Sequence, residues 1–86
     1  MAEVIQEYVE RVLLPKGLVY KVLACGKLRE DGKWEGWLEF HQANGLGPDL
    51  VTGRETTQPN RTALAYWASG LEPIYFEGAL ARIRER

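Results

Sequence analysis

Apolar residues near the start of the chain recur at a helical spacing. In residues 2–14 they fall at Val4, Ile5, Tyr8, Val9, Val12 and Leu13. This spacing places them in one stripe of a helix and does not alternate as a half-buried strand would. Pro15 and Gly17 follow and are typical of a helix end. The pattern therefore predicts an N-terminal helix over residues 2–14.

The next segment has the pattern of a β-hairpin, in which two strand-like runs (18–29 and 33–41) flank Glu30, Asp31 and Gly32. If Gly32 takes a positive φ after a type I turn, Arg29 pairs with Lys33. One face then carries the pairs Leu28–Trp34, Ala24–Leu38 and Val22–Phe40, and the other carries Lys27–Glu35, Cys25–Trp37, Leu23–Glu39 and Lys21–His41. A shift of one residue would place Glu35 and Glu39 beside the apolar set, which favours the first register.

The second half of the chain predicts a short strand and two helices. Residues 42–48 are rich in turn formers, and residues 49–53 suit a brief third strand. Thr56 or Thr57 would cap a helix with Pro59 in its first turn, and Gly70 would end it with a positive φ. A last helix would run from Glu72 to Arg84. The predicted fold is a single α+β domain, residues 1–86, of order α-β-β-β-α-α.

Composition and charge narrow the classes of function. The 11 basic residues face 12 acidic ones, for a net charge of −1. Phosphate neutralisation supplies most non-specific affinity for nucleic acid, so this balance argues against that partner. The chain has no apolar run of the roughly 18 residues that a membrane helix needs and no basic leader. We expect a cytosolic protein without a membrane contact.

Residues suited to catalysis or metal binding are scarce. The chain has one cysteine, Cys25, and one histidine, His41. The predicted register separates them by about four residues along the sheet, beyond the reach that an activated nucleophile requires. A structural metal site needs several converging ligands. We therefore predict no catalytic residue, no metal and no cofactor, and a non-enzymatic protein.

One polar segment is a candidate ligand site. A helix N-terminus attracts anions, and two arginines beside it could clamp a carboxylate or phosphate. The competing interpretation is structural, with the same side chains capping the helix and pairing with each other. The candidate residues are Arg54, Glu55, Thr56, Thr57, Gln58, Asn60 and Arg61.

The second sheet face is a candidate interface. It would carry Leu23, Cys25, Trp37 and His41. A tryptophan on a solvated face often marks an interaction surface, which here could bind a second copy of the chain or another protein. The alternative is that the N-terminal helix covers this face within the same chain.

The runs GRETTQPNRTALAYWASGLEPIYFEGAL and KWEGWLEF resemble small bacterial proteins of uncharacterised function. The strand-strand-strand-helix order is also similar to that of HicB-type antitoxin domains, although their acidic Pro-Gly stretch is absent. These resemblances imply a bacterial cytosolic protein and, from the second, a regulator associated with nucleic acid. The leading interpretation remains a homodimeric interaction module; the alternatives are such a regulator or a binder of a small anion.

Overall fold

The computed structural model describes residues 2–14 and 17–84. It contains an antiparallel sheet followed by two helices, an α+β arrangement. The elements are β1 (Glu3–Leu13), β2 (Val19–Leu28), β3 (Trp34–Gln42), β4 (Leu50–Val51), β5 (Thr56–Gln58), α1 (Arg61–Ser69) and α2 (Pro73–Arg84). The strand order is β1-β2-β3, and the short strands β4 and β5 both pair with the outer edge of β3 at different points along it.

The predicted N-terminal helix is wrong, because residues 3–13 form the edge strand β1. Its pairing with β2 shifts twice, between Val4 and Gln6 and again between Glu7 and Arg11. A bulge adds a residue to one strand and so changes which residues share a face. Ile5, Tyr8 and Val12 consequently all pack on the core, three and four residues apart. Bulges in this strand imitate the spacing of a helical stripe.

The predicted hairpin is confirmed, including its register. Gly32 has a φ of 85°, and the Arg29 N–H donates to the Lys33 carbonyl over 2.7 Å. A type I turn followed by a positive-φ glycine explains the pairing of Lys27 with Glu35 and of Cys25 with Trp37. All seven cross-strand pairs expected from the sequence are present.

Three details after the hairpin differ from the predictions. The short strand in residues 49–53 is present as β4, but Thr56 and Thr57 belong to β5 and cap no helix. The cap is Asn60, whose side chain accepts from the Ala63 N–H over 2.8 Å. Pro59 therefore precedes the cap. Gly70 ends α1 with a φ of −92°, in the right-handed region, so the predicted positive φ is wrong.

Both helices pack on the same face of the sheet. Val22, Ala24, Leu38 and Phe40 of that face form one core with Phe76 and Leu80 of α2 and Ala68 of α1. The Tyr8 hydroxyl joins β1 to α1 by donating to the Ala68 carbonyl over 2.6 Å. Burial raises the pKa of Tyr8 to about 12, with a contribution from the charge of Glu10. The other face of the sheet is thus free of both helices.

Candidate functional site

We call the sheet surface opposite the helices the open face. No helix or strand within residues 2–14 and 17–84 covers it. Alternate residues of β2 point towards the open face. Each of them lies in a row of side chains that continues across the neighbouring strands. The predicted interface residues Leu23, Cys25, Trp37 and His41 all lie on this face.

The rows of the open face differ in chemistry. The apolar row is Val4, Cys25 and Trp37; the acidic row is Glu7, Leu23, Glu39 and Val51; the basic row is Arg11, Lys21 and His41. Beyond the basic row lies an apolar end row of Leu13 and Val19, and beyond the apolar row lie Lys27 and Glu35. Glu7 and Glu39 therefore lie in one row and Arg11 and Lys21 in the next, while Lys27, Glu35 and Asp49 carry charge elsewhere on the face.

A chain of hydrogen bonds along β3 fixes the centre of the open face. Glu39 accepts from the Trp37 indole N–H over 2.9 Å and contacts His41 Nε2 at 3.0 Å. His41 Nδ1 lies 3.6 Å from Asp49. Burial alone would raise the pKa of Glu39, but the hydrogen bonds from Trp37 and His41 outweigh burial and lower that pKa. An ionised Glu39 thereby holds the indole ring of Trp37 by its N–H.

Cys25 does not have the properties of a reactive thiol. It is a buried free cysteine, and burial raises its pKa to about 12, with further contributions from the charge and hydrogen bond of Glu39. The thiolate is the nucleophilic form, and it is scarce at neutral pH with such a pKa. Cys25 contributes to the open face as a small apolar side chain.

Apolar side chains remain exposed at the margins of the open face. Val4 is 54% exposed, Val51 49% and Leu13 73%. Between Trp37 and Val51 the surface dips into an open depression of about 290 Å³, bordered also by Lys27 and Arg54. The exposed apolar side chains thus lie at the margins of the open face, and the rows between them carry charges of both signs.

The side chains of the polar segment 54–61 make several different structural contacts. Arg61 pairs with Glu3 of β1, while Glu55 accepts from Tyr75 and Arg82 of α2. Burial raises the pKa of Tyr75, and the contact with Glu55 raises it further. Arg82 donates to Glu55 over 2.8 Å. These contacts join the segment to β1 and to α2, so Glu55 and Arg61 pair with residues outside the segment and not with each other.

The remaining residues of that segment lie on different elements. Gln58 donates to the Thr56 hydroxyl over 2.7 Å within β5, and Thr57 is exposed opposite Glu35. Asn60 caps α1. Arg54 is exposed and borders the depression beside Trp37. Of the predicted ligand residues, Arg54 and Thr57 thus border the open face, and the anion site stays a prediction.

Sequence reasoning misses the part of the open face that β1 supplies. The apolar spacing assigns Val4, Glu7 and Arg11 to a helix, which hides their alignment with the rows of β2 and β3. The overlooked signal is the run of β-branched Val4, Ile5, Val9 and Val12, since such residues favour strands.

Comparison with protein-family models, with curated proteins and with solved structures finds no match for the chain. The bacterial and antitoxin-like resemblances stay expectations from the sequence. Within the described residues no three His, Cys, Asp or Glu side chains are grouped to hold a metal ion. No helix in the same residues has the length and apolar character to cross a membrane.

Proposed function

We propose that the protein is a non-enzymatic interaction module that forms a homodimer through its open face. The observation that supports this most directly is the position of both helices on the opposite face, which leaves half-buried Trp37 and exposed Val4 with no helix over them. An antiparallel sheet can leave its second face in water, so the support comes from the apolar residues that this face carries. The mixture of apolar and oppositely charged rows suits a surface that binds its own copy.

The size of the open face supports a stable contact. Its main strands contain 9 to 11 residues. At about 3.3 Å per residue and about 4.8 Å between strands, the face measures roughly 30 Å by 20 Å. Standard protein interfaces bury about 800 Å² of accessible surface on each partner. Two such faces stacked about 10 Å apart would form a contact of that class that includes Trp37.

A cytosolic location belongs to the same proposal. Cys25 is free and buried, and the chain contains no second cysteine for a disulfide. Free thiols are typical of proteins in reducing compartments.

The proposal is tested by sedimentation velocity of the wild-type chain and of Trp37→Glu. The wild type is expected to sediment as a dimer at tens of micromolar. Trp37→Glu is expected to sediment as a monomer, because it would bury an unpaired charge in the contact. The far-ultraviolet circular dichroism of both chains should agree, since Trp37 lies outside the helix-facing core.

Tyr66→Glu is the matched control. Tyr66 is an aromatic residue of α1 with 81% of its side chain exposed, on the layer opposite the open face. This variant should remain a dimer. A wild-type chain that is monomeric at tens of micromolar, or a dimer that both variants leave unchanged, would contradict the proposal.

A further inference from the structure

We infer that the two copies stack with their strands antiparallel, about a twofold axis lying between the acidic row and the basic row. This inference rests on the proposed homodimer and adds its geometry. The two rows are adjacent on β2, which contributes Leu23 to the acidic row and Lys21 to the basic row. Each row is therefore about 3.4 Å from the axis, half of the two-residue repeat of a strand.

Two twofold operations bring the open faces together with their strands aligned, as sheets that pack face to face usually are. An axis along the strands would stack them in parallel, so that each row meets itself. Glu7 and Glu39 would then face the same acidic row of the partner, and Arg11 and Lys21 would face the basic row. Like charges placed against each other in an interface oppose association and exclude partners. The charge pattern of the rows therefore disfavours parallel stacking.

An axis along the hydrogen-bonding direction, across the strands, reverses the order of the rows. The acidic row then meets the partner's basic row twice in one dimer, because the contact is isologous. Each strand faces its own copy, so Glu7 lies opposite the partner's Arg11 and Glu39 lies opposite the partner's His41. Glu7 and Arg11 are both exposed in the single chain, so they are available for this contact.

The same twofold axis also determines which apolar residues of the two copies meet. The apolar row lies one repeat from the acidic row, and the end row lies one repeat from the basic row. Val4 therefore faces the partner's Leu13, and Cys25 faces the partner's Val19. Val4 and Leu13 are 54% and 73% exposed, so this arrangement covers two exposed apolar residues. One axis thus sets Glu7 opposite the partner's Arg11 and the apolar row opposite the apolar end row.

The test uses two single charge reversals, Glu7→Arg and Arg11→Glu. Each alone places like charges in both copies of the contact, and each should weaken the dimer by at least about tenfold. An equimolar mixture of the two variants should recover association. In a mixed dimer, position 7 of the Glu7→Arg chain faces position 11 of the Arg11→Glu chain. The first position then carries a positive charge and the second a negative charge. Sedimentation of the two separate variants and of their mixture measures all three states.

Glu77→Arg provides the matched charge control. Glu77 is exposed on α2, away from the open face, so the same change of charge there should leave the dimer intact. Pairing of two β1 edges could also bring Glu7 near the partner's Arg11, but such a dimer would survive Trp37→Glu. If Trp37→Glu gives monomers while the reversals have no effect or their mixture fails to associate, the antiparallel geometry is wrong and the proposed function stands.

Discussion

Gly26 and Gly36 face each other across β2 and β3, and the side chain of Leu64 fills the space above both. A Cβ atom at Gly36 would lie 2.6 Å from Leu64 Cδ1. At Gly26 it would meet Leu64 Cδ2 and would also lie 2.9 Å from the backbone oxygen of Glu35. Two paired glycines thus allow α1 to approach the sheet closely, which fixes the helical layer on this face.

Gly36→Ala and Gly26→Ala should both reduce the free energy of unfolding, by about 1–3 kcal/mol, because an added methyl group overpacks the contact with Leu64. Gly26→Ala should cost more, since one of its close neighbours is backbone and cannot rotate away. Chemical denaturation of each variant measures the difference.

Gly78→Ala is the control for the glycine pair, because it should raise the stability that the other two substitutions lower. Gly78 is exposed within α2, and an added Cβ would have no neighbour within 4 Å. Alanine there should stabilise the chain by about 0.5–1 kcal/mol, the usual cost of glycine inside a helix. Equal effects at all three glycines would show that close packing against Leu64 is not what the paired glycines provide.

The predictions from sequence succeeded where local geometry decides the structure. The Gly32 turn determines the hairpin register, and the register determines which residues share the open face with Trp37. They failed on residues 3–13, because a bulged strand and an amphipathic helix can show the same apolar spacing. Pairing with β2 separates the two, and in the sequence itself the β-branched Val4, Ile5, Val9 and Val12 favour the strand.

The candidate site could be predicted only in part for the same reason. Leu23, Cys25, Trp37 and His41 lie on strands whose register follows from the turn. Glu7 and Arg11 join them only because β1 is a strand. The role of Asn60 as a cap could have been inferred, since asparagine is as good an N-cap as threonine and Pro59 resists a place inside the helix.

Thr52→Val should destabilise the fold by about 1–3 kcal/mol, the cost of a buried donor left without an acceptor. The Thr52 hydroxyl accepts from the Leu38 N–H over 3.0 Å at the point where the chain passes from β4 towards β5. Thermal and chemical denaturation measure the loss.

Thr52→Ser retains the hydroxyl and should recover most of that stability. Thr57→Val is the control for the change of side-chain type, because Thr57 is exposed on β5 and the change should stay within about 0.5 kcal/mol. If Thr52→Ser is as unstable as Thr52→Val, the hydrogen bond to Leu38 is not the cause.

Tyr8→Phe should lower the free energy of unfolding by about 0.5–1.5 kcal/mol through loss of the hydrogen bond to Ala68. The effect should be moderate, because the Ala68 carbonyl also accepts from Leu71 over 3.3 Å, and because the Tyr8 ring keeps its contact with Phe76. Denaturation of Tyr66→Phe gives the baseline, since Tyr66 is exposed and its change should be close to zero. Equal effects of the two substitutions would contradict a stabilising bond between β1 and α1.

Cys25 should react with iodoacetamide far more slowly in the folded chain than in the unfolded chain at pH 8. Its pKa rises from 9.0 to about 12, which corresponds to about a thousandfold less thiolate. The same shift makes the protonated thiol favour folding, so its contribution to stability is present below pH 9.0 and is lost as the pH rises towards 12. Relative to Cys25→Ala, the wild type should therefore lose stability between these pH values. Rapid alkylation of the folded chain at pH 8, or parallel stability curves for the two proteins, would show that Cys25 is an accessible thiol with an ordinary pKa.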